Sequence, residues 1–579
     1  MGETAAVWSK RAASEQVTAY RMPAAFCGLP PKATALAPAA CPADAQYVNA
    51  DGSPKDSDGD GLWDCWEDAA RWSDGKPGFG FTDPAVRDLT LCVNADTDGD
   101  GVPDTEKCVD PNVKDVLVEI DFMEDAGQAK SHRPDPLALL TVRNAFAAAP
   151  VDAPNGVRVH FFVDEAVPHA DRLAFEPCTG PAVSGAAVYD TVKATFFGSA
   201  AERSNLNAVN AKIMAFRYML FAHLLVGSNS SGCGEIVGDD SAVTLGLFGP
   251  SDSSGHKRGT TDQQAGTVMH ELGHNLGLEH GGGDKMNCKP NYLSVMSYSR
   301  QFMDFITNRP LDYSRSANPT LDESTGLSEV VGIGDITSFP ILEGARTVYS
   351  PSSSSTNPPS FVVSLGATTG TAIDWNGDGD RTDAGTVADV NKLIAAGCDG
   401  SGTVLMGHND WENLSYNPRA SLDFSSGAPD FDADKTSDQE QASFEAADRD
   451  ADGTGDAFAC ANVACAIDVK PNESPNIVNL GKEANIRVLI RSVSNFDAPT
   501  QVIRSTLRLN DVQVRLNQGG EGACTAQKSE SPGMRDLVCQ FDSMGLPLGT
   551  NYVILEGQYL SGSVIRAFRA RDIVTVVKN

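Results

Sequence analysis

The sequence predicts a multidomain protein, in which an α/β domain is followed by a β-rich domain and Asp-rich loops lie outside the two cores. Three observations support this prediction. The chain has 579 residues, which is too long for one ordinary hydrophobic core. A strand–helix–strand pattern begins at Val113. From about Ile467, short alternating runs are separated by turn residues, as in an antiparallel β-sandwich.

Changes in composition along the chain give the predicted domain boundaries. Residues 1–112 are rich in loops and hold five cysteines. Residues 113–430 form the α/β domain with an irregular C-terminal extension, residues 431–465 an Asp-rich linker, and residues 466–579 the β-sandwich.

The α/β domain is predicted from its first three elements. Val116–Met123 and Val157–Val163 read as buried strands, and the segment between them, Asp135–Ala149, has helical periodicity. This order indicates a crossover unit with parallel strands. The apolar run Ile213–Val226 is compatible with a strand or a helix, and Ala242–Gly249 reads as a further strand.

The charge balance excludes one class of partner. Forty-five basic residues against 77 acidic ones give a net charge of −32, so the chain would repel nucleic acid. We expect no membrane span, because no apolar run approaches the roughly 20 residues that a span needs.

The thirteen cysteines are scattered and do not form the paired motifs of a zinc module. Cys460 with Cys465, and Cys524 with Cys539, are close enough in sequence to be bridged. Disulfides would indicate an oxidising compartment. Because the first residues, MGETAAVWSKRAASEQ, contain no apolar signal core, export is an inference, with any signal trimmed or never present.

The segment TVMHELGHNLGLEHGGG, residues 267–283, contains the strongest candidate site. We expect a helix with Thr261 as N-cap and Gln264 completing a capping box. His270 and His274 then lie one turn apart on one face, so both imidazoles reach the same ion. Glu271 lies about 100° round the helix from His270. We therefore expect its carboxylate to stay off the metal but close to a metal-bound water.

The end of this helix is predicted to supply a third ligand. Gly277 permits the left-handed turn that ends a helix, which brings His280 back toward the other two histidines. Three protein ligands with an open fourth position are typical of catalytic zinc. Zinc lowers the pKa of water to about 7, and Glu271 would act as the general base. The alternative is a solvated helix face without metal.

HExxHxxGxxH, here His270 to His280, resembles the signature of the metzincin zinc endopeptidases, and the resemblance covers roughly residues 113–310. It implies a mixed twisted sheet with an active-site helix, a methionine turn at Met296, and an oxyanion-stabilising role for Tyr298. It also implies an edge strand that pairs with substrate, for which Ala242–Gly249 is the candidate. Gly281 matches none of the usual branch residues, so no subfamily is assigned.

Asp-rich segments predict calcium sites. DSDGDGLWDCWE, residues 56–67, places oxygen ligands at positions 1, 3, 5, 9 and 12 with glycine at position 6, and residues 96–107 and 448–456 repeat the pattern. Residues 374–383 are a looser copy. The loops resemble thrombospondin type-3 or dockerin-like calcium loops, and the alternative is an acidic turn without metal. The candidate ligands are Asp56, Asp58, Asp60, Asp64, Glu67, Asp96, Asp98, Asp100, Asp104, Asp448, Asp450, Asp452 and Asp456.

The function predicted from these residues is that of an exported zinc-dependent endopeptidase acting on a peptide or protein, with zinc and calcium as cofactors. One alternative is a zinc hydrolase of a non-peptide ester or amide. Another is a calcium-stiffened adhesion or scaffold protein with a vestigial metal site, which is disfavoured because Glu271 is intact. His408 and Asp410 are interpreted as part of a capped loop.

Overall fold

The computed structural model describes residues 40–578 with some exceptions. These are residues 82, 152–155, 177, 180, 335–345, 352–359, 365–371, 418–433, 451–454, 458–466, 472, 494–495 and 530–532.

The elements are numbered in chain order. The strands are β1 Gly78–Phe79, β2 Leu89–Thr90, β3 Cys92–Ala95, β4 Thr105–Cys108, β5 Asp115–Glu124, β6 Arg158–Pro168, β7 Leu173–Ala174, β8 Ala187–Val188, β9 Phe216–Phe221, β10 Gly232–Gly234, β11 Asp240–Val243, β12 Leu321–Asp322, β13 Leu327–Ser328, β14 Arg346–Tyr349, β15 Ser360–Ser364, β16 Ala384–Thr386, β17 Val404–Leu405, β18 Ala447–Asp448, β19 Ile467–Val469, β20 Ile477–Asn479, β21 Asn485–Ile490, β22 Val502–Leu509, β23 Val512–Gln513, β24 Cys524–Lys528, β25 Arg535–Asp542, β26 Gly549–Ser561 and β27 Val564–Val577. The helices are α1 Asp64–Glu67, α2 Pro136–Ala147, α3 Tyr189–Phe196, α4 Ala200–Arg203, α5 Leu206–Ile213, α6 Thr261–Asn275, α7 Asp410–Asn413, α8 Ser437–Ala446 and α9 Ala498–Gln501, with 3₁₀ turns at Ala69–Arg71 and Ile394–Ala396.

A five-stranded mixed sheet forms the centre of the α/β domain, in the order β10-β11-β9-β5-β6. The strands β11, β9, β5 and β6 are parallel, and β10 runs antiparallel to β11. The predicted strand–helix–strand unit is therefore confirmed. The ambiguous run Ile213–Val226 contains β9, a strand whose six residues are all buried. Because both of its faces are covered, it lacks the alternation that would have identified it.

Alternate residues of β5 pack against different partners. Val116 and Val118 belong to the core that α2 and α6 share with the sheet. Leu117 points to the other face, where it joins a core that includes Trp66 and Phe79 of the N-terminal region. The N-terminal region therefore helps to cover the face of the sheet opposite α2 and α6, together with α3 and α5.

The edge of the sheet differs from the prediction. Strand β11 ends at Val243, and β10 pairs outside it with Gly232 opposite Val243. Ala242–Gly249 is therefore not the edge strand, and the edge position next to α6 belongs to β10. The sequence Gly-Cys-Gly has little strand propensity, which is why the pattern did not reveal it.

The C-terminal residues form two sheets around one core. The order of the first is β19-β21-β25-β24 and that of the second β20-β27-β26-β22-β23. Their pairs are antiparallel except β20 with β27. Side chains from both sheets, such as Val488 and Leu555, are buried in the same cluster.

Disulfides join Cys41–Cys65, Cys92–Cys108, Cys178–Cys233, Cys288–Cys398 and Cys524–Cys539. The predicted Cys524–Cys539 bridge is thus confirmed, whereas Cys460 and Cys465 lie outside the described residues. Among the helices that the structure describes, none is long and apolar enough to cross a membrane.

Candidate metal centre

The helix α6 begins one residue earlier than the capping prediction. Thr260, not Thr261, is its N-cap: the Thr260 hydroxyl accepts a hydrogen bond from the Gln263 amide at 3.2 Å, and Gln263 Oε1 accepts one from the Thr260 amide at 2.9 Å. The sequence TTDQQ allows both registers. Thr261 instead donates its hydroxyl to Asp135, so tertiary contacts select the register.

His270 and His274 are held in a defined orientation. The Nδ1 of His270 lies 3.0 Å from the carbonyl oxygen of Val295, and the Nδ1 of His274 lies 2.7 Å from that of Leu278. Both rings are buried. Since each Nδ1 donates to a carbonyl, each Nε2 carries a lone pair directed toward the other ring.

His280 reaches the same point after a sharp turn. Helix α6 ends at Asn275, and Gly277 has φ of +95°, the left-handed conformation that favours glycine. The ring of His280 then lies 5.1 Å from that of His270 and 5.0 Å from that of His274, centroid to centroid. The structure therefore brings the three predicted zinc ligands together.

The three histidines fit a zinc ion. The Nε2 atoms of His270 and His274 are 3.1 Å apart, close to the roughly 3.3 Å expected between two nitrogens at 2.0–2.1 Å from a tetrahedral ion. Two lone pairs at this distance repel one another unless a cation lies between them. Burial lowers the pKa of His270, and it lowers that of His280 to about 3, so both rings are neutral, as metal ligands must be.

Glu271 lies between α6 and the edge strand β10. A side chain at Gly232 would overlap its carboxylate, and a Cβ at Gly234 would lie 3.2 Å from its Oε2. Both carboxylate oxygens are buried and accept no hydrogen bond from a described residue. The two glycines thus let the edge strand approach the carboxylate without covering it.

Met296 and Tyr298 occupy the floor and one wall of the centre. Met296 is buried beneath α6, where a side chain at Gly273 would overlap its sulfur. The ring of Tyr298 lies 4.7 Å from that of His280. Tyr298 and His280 also line a cavity of about 220 Å³ beside the centre.

Asp434 is the residue of this centre that the sequence analysis missed. Its Oδ1 lies 3.4 Å from Nε2 of His270, 3.8 Å from that of His274 and 3.5 Å from that of His280. The four residues form a group whose ligand atoms lie close enough to share one ion. No local pattern around Asp434 signals this contact, which joins distant parts of the chain.

The segment that carries Asp434 runs beside the start of the edge strand. The amide of Ser231 donates to the carbonyl of Lys435 at 3.0 Å, and Ser230 pairs with Thr436 in an antiparallel bridge. The ammonium of Lys435 is buried and binds Asp304 and the carbonyl of Tyr298. Residues 435 and 436 thus pair with the residues just before the edge strand β10, beside the metal centre.

The pKa values of Glu271 and Asp434 are shifted in opposite directions. Burial, followed by repulsion from Asp434, raises the pKa of Glu271 well above its usual range. Although burial also acts on Asp434, its contacts with the three histidines hold its pKa well below the usual range. A proton shared by the pair therefore rests on Glu271.

In the first Asp-rich loop, the aspartates accept hydrogen bonds from the backbone of the loop itself. The carboxylate of Asp56 accepts hydrogen bonds from the amides of Gly59 and Gly61 at 2.8 and 3.0 Å. Asp64 accepts from the amide and hydroxyl of Ser57, both at 2.7 Å. Within the loop, Asp56, Asp58 and Asp60 form one group of candidate ligands.

A second acidic group lies under this loop. Asp60 and Glu67 meet Asp115, the first residue of β5, which the sequence analysis did not include. Both oxygens of Glu67 are buried and have no hydrogen-bond partner within the described part of the chain. Burial, together with repulsion from Asp60, raises the pKa of Glu67 far above its ordinary range. A buried carboxylate of this kind needs a proton or a cation.

The other Asp-rich loops repeat this backbone geometry. Asp96 accepts from the amides of Gly99 and Gly101, and Asp374 in the looser copy accepts from Gly377 and Gly379. At position 9, Asp104 accepts from the amide of Thr97 and Asp456 from that of Arg449. These contacts correspond to those of Asp56 and Asp64. The predicted ligands Asp98, Asp100, Asp448 and Asp450 are described, whereas Asp452 is not.

His408 and Asp410 take no direct part in the three-histidine centre. Nδ1 of His408 lies 2.8 Å from Asp410, which also accepts hydrogen bonds from Tyr292 at 2.8 and 2.9 Å. A Cβ at Gly282 or Gly283 would crowd the ring of His408. The unusual glycines after His280 therefore make room for this histidine.

One segment of the chain is similar to a family of metallopeptidases. Residues 182–281 match the family model described as Metallo-peptidase family M12B Reprolysin-like. The matched segment contains β9, β10, β11, α6 and all three histidines of the centre. No curated protein matches the chain.

Proposed function

We propose that this chain, which carries a metzincin-type zinc metalloendopeptidase domain, is an exported enzyme that cleaves peptide bonds with Glu271 as its general base. The observation that carries the proposal is the convergence of three histidines beside a buried carboxylate at a sheet edge. This arrangement provides a metal position, a proton acceptor and a backbone against which a peptide is able to align.

His270, His274 and His280 would hold the zinc ion. When bound, zinc supplies a Lewis acid that polarises a carbonyl and makes water acidic near neutral pH. Glu271 takes the proton from the attacking water and passes it to the leaving amine. In the closed conformation, burial, followed by repulsion from Asp434, raises the pKa of Glu271, so departure of Asp434 would favour the carboxylate form that accepts the proton. Tyr298 stabilises the oxyanion that develops on the scissile carbonyl.

Substrate would bind as an added strand along β10. Gly232 and Gly234 of this strand bring its backbone close to Glu271, so a peptide paired with β10 passes the proton acceptor. Residues 434–436 occupy the beginning of this path through Ser230 and Ser231. Substrate therefore requires Asp434 to leave the three histidines, and the conformation described corresponds to a closed enzyme.

The Asp-rich loops would bind calcium and stiffen the regions around the peptidase domain. The carboxylates of Asp60, Glu67 and Asp115 support this proposal, since a divalent cation would neutralise a group that is otherwise buried and mutually repulsive. The disulfides favour an oxidising compartment, which agrees with export. Residues 466–579 would act as an accessory β-sandwich.

A digest of a mixed peptide library with mass-spectrometric readout tests the activity. We expect internal cleavage, loss of cleavage with a zinc chelator, and recovery when zinc is restored. A panel of non-peptide esters and amides is assayed in parallel. Hydrolysis of the panel without any peptide fragments would refute the endopeptidase proposal and favour a zinc hydrolase of another class.

A further inference from the structure

Four histidines that do not belong to the candidate catalytic centre meet at a second point. They are His132, His169, His223 and His256. One ring nitrogen of each lies within 4.8 Å of those of the others. They make up four of the nine histidines of the chain, and no spacing motif connects them.

The fold explains why these residues converge. His169 directly follows β6 and His223 lies two residues after β9, while His132 is in the loop after β5. These three strands are neighbours and parallel, so their carboxyl ends lie along one edge of the sheet. His256 comes from the loop between β11 and α6. The cluster therefore joins three strands to the segment that leads into the active-site helix.

Backbone contacts fix the positions of the rings. The amide of His132 donates to the carbonyl of Met123 at 2.9 Å, and that of His169 to the carbonyl of Glu124 at 3.1 Å. The amide of Gly246 donates to the carbonyl of His223 at 2.9 Å, and a side chain at Gly246 would overlap the His223 ring. Backbone hydrogen bonds at or near the strand ends therefore position His132, His169 and His223.

The distances between ring nitrogens match those of a metal site. Nε2 of His132 lies 3.2 Å from Nδ1 of His223 and 3.0 Å from Nε2 of His256. Nitrogens bound to one tetrahedral zinc ion are about 3.3 Å apart. Hydrogen bonds between the rings do not account for all four histidines. Nε2 of His169 is buried and has no hydrogen-bond partner among the residues described.

The electrostatics of the cluster favour neutral imidazoles. Burial, followed by the other histidines, lowers the pKa of His132 well below its ordinary value, and burial lowers that of His223 to about 4. Neutral imidazole is the form that binds metal. Two carboxylates stand outside the rings: Asp171 lies 3.8 Å from Nδ1 of His169 and Asp252 lies 3.9 Å from Nδ1 of His256. They add negative charge that favours a cation.

We propose that His132, His169, His223 and His256 form a second zinc site, separate from the candidate catalytic centre. Imidazole nitrogen is a donor that zinc accepts readily, and four protein donors close the tetrahedral sphere, as in structural zinc sites. The ion would tie the ends of β5, β6 and β9 to the segment before α6. The ion would therefore stabilise the sheet and the loop that position the catalytic helix α6.

Zinc stoichiometry of the full-length protein tests the proposal. The protein is saturated with zinc, freed of excess and analysed by plasma mass spectrometry. We expect two zinc ions per chain for the unmodified protein and one for His169→Asn and for His223→Asn. His408→Asn, a histidine outside both groups, should retain two. One ion in the unmodified protein, or two in both cluster variants, would overturn the proposal.

The two sites are distinguished by changing the catalytic one. His270→Asn combined with His274→Asn should remove the catalytic zinc but leave one ion per chain. This result would hold whether or not the chain is a peptidase. Cobalt added to the zinc-free double variant should give the visible absorption of a four-coordinate ion, and this absorption should vanish when His223→Asn is added. No such absorption in the double variant would refute the tetrahedral site.

A folding readout guards against variants that merely misfold. Circular dichroism of His169→Asn and His223→Asn should match that of the unmodified protein at 20 °C. In the double variant, zinc should raise the melting temperature, and in the triple variant it should not. An equal rise in both would overturn the proposal.

Discussion

The Oδ1 atom of Asp434 lies 3.4 Å from Nε2 of His270, so a carboxylate from the segment predicted as the Asp-rich linker stands at the open side of the three-histidine centre. The three imidazoles alone would leave this side accessible to water and substrate. Asp434 closes it, and the pairing of Ser231 with Lys435 holds the closing segment against the edge strand.

Replacement of Asp434 should open the centre. We expect Asp434→Asn to increase the initial rate on a short peptide about ten-fold or more, because a contact with a charged group is worth about 1.5–3 kcal/mol. The measurement is a fluorogenic peptide assay at low substrate concentration. Asp438→Asn, an exposed aspartate in the first turn of α8, is the matched control. An unchanged or lower rate for Asp434→Asn would contradict the closing role.

Glu271→Gln should abolish turnover without loss of zinc. The amide keeps the size of the side chain between Gly232 and Gly234 but accepts no proton, so kcat should fall by about 10²–10⁴-fold. The zinc content should equal that of the unmodified protein. If Glu271→Gln cleaves casein at the normal rate, another group is the general base.

Tyr298→Phe should lower kcat by about ten- to a hundred-fold and leave KM nearly unchanged, since an oxyanion contact forms mainly in the transition state. Steady-state kinetics on one peptide separate the two constants. Tyr292→Phe is the control: its hydroxyl donates to Asp410, away from the centre, so this variant should lose stability instead. A rise in KM alone for Tyr298→Phe would argue for ground-state binding.

Calcium should stabilise the protein more at pH 8 than at pH 5. The pKa of Glu67 is raised in the folded protein from an ordinary value of 4.5. In calcium-free protein the unfolded chain therefore loses this proton first, and stability falls as the pH rises above about 4.5. A cation replaces the proton at high pH. Thermal unfolding with and without calcium at both pH values measures the difference.

Glu67→Gln should reduce this dependence. The variant removes one buried charge beside Asp60 and Asp115, so the calcium-free protein should be more stable at pH 8 and should gain less from calcium. Glu106→Gln, an exposed residue near the second loop, is the control. If calcium shifts the melting temperature of Glu67→Gln as much as that of the unmodified protein, Glu67 is not a ligand.

The register of α6 is tested by its two threonines. Thr260→Ala should cost about 1 kcal/mol of unfolding free energy, because the hydroxyl caps the helix through the Gln263 amide. A capping deficit is measured by urea denaturation at constant slope. Thr260→Ser retains the hydroxyl and should be nearly neutral. No difference between these two variants would show that the cap contributes nothing.

Local helix and turn geometry made part of the metal centre predictable. His270 and His274 are four residues apart on one helix, and the glycine at 277 permits the turn to His280, so sequence spacing alone brings the three together. The strands β5 and β6 were equally visible, because their apolar runs are long. These features depend on neighbours in the sequence.

Other features depend on contacts between distant segments. Asp434 reaches the histidines through the tertiary fold, and nothing near it in sequence distinguishes it from other aspartates of an acidic chain. The edge strand β10 was hidden by its glycines, whose value lies in their close approach to Glu271. Thr260 replaced Thr261 as the cap because Asp135 and Thr550 engage the hydroxyl of the latter.

The C-terminal sheets form hydrogen bonds with the start of the active-site helix α6. The amide of Asp262 donates to Asn551 at 2.8 Å, and the amide of Thr550 donates to Thr261 at 3.0 Å. Removing the last domain would therefore uncover the first turn of the helix that presents His270 and Glu271. A fragment cut after the peptidase region would therefore be a poor surrogate for the whole enzyme.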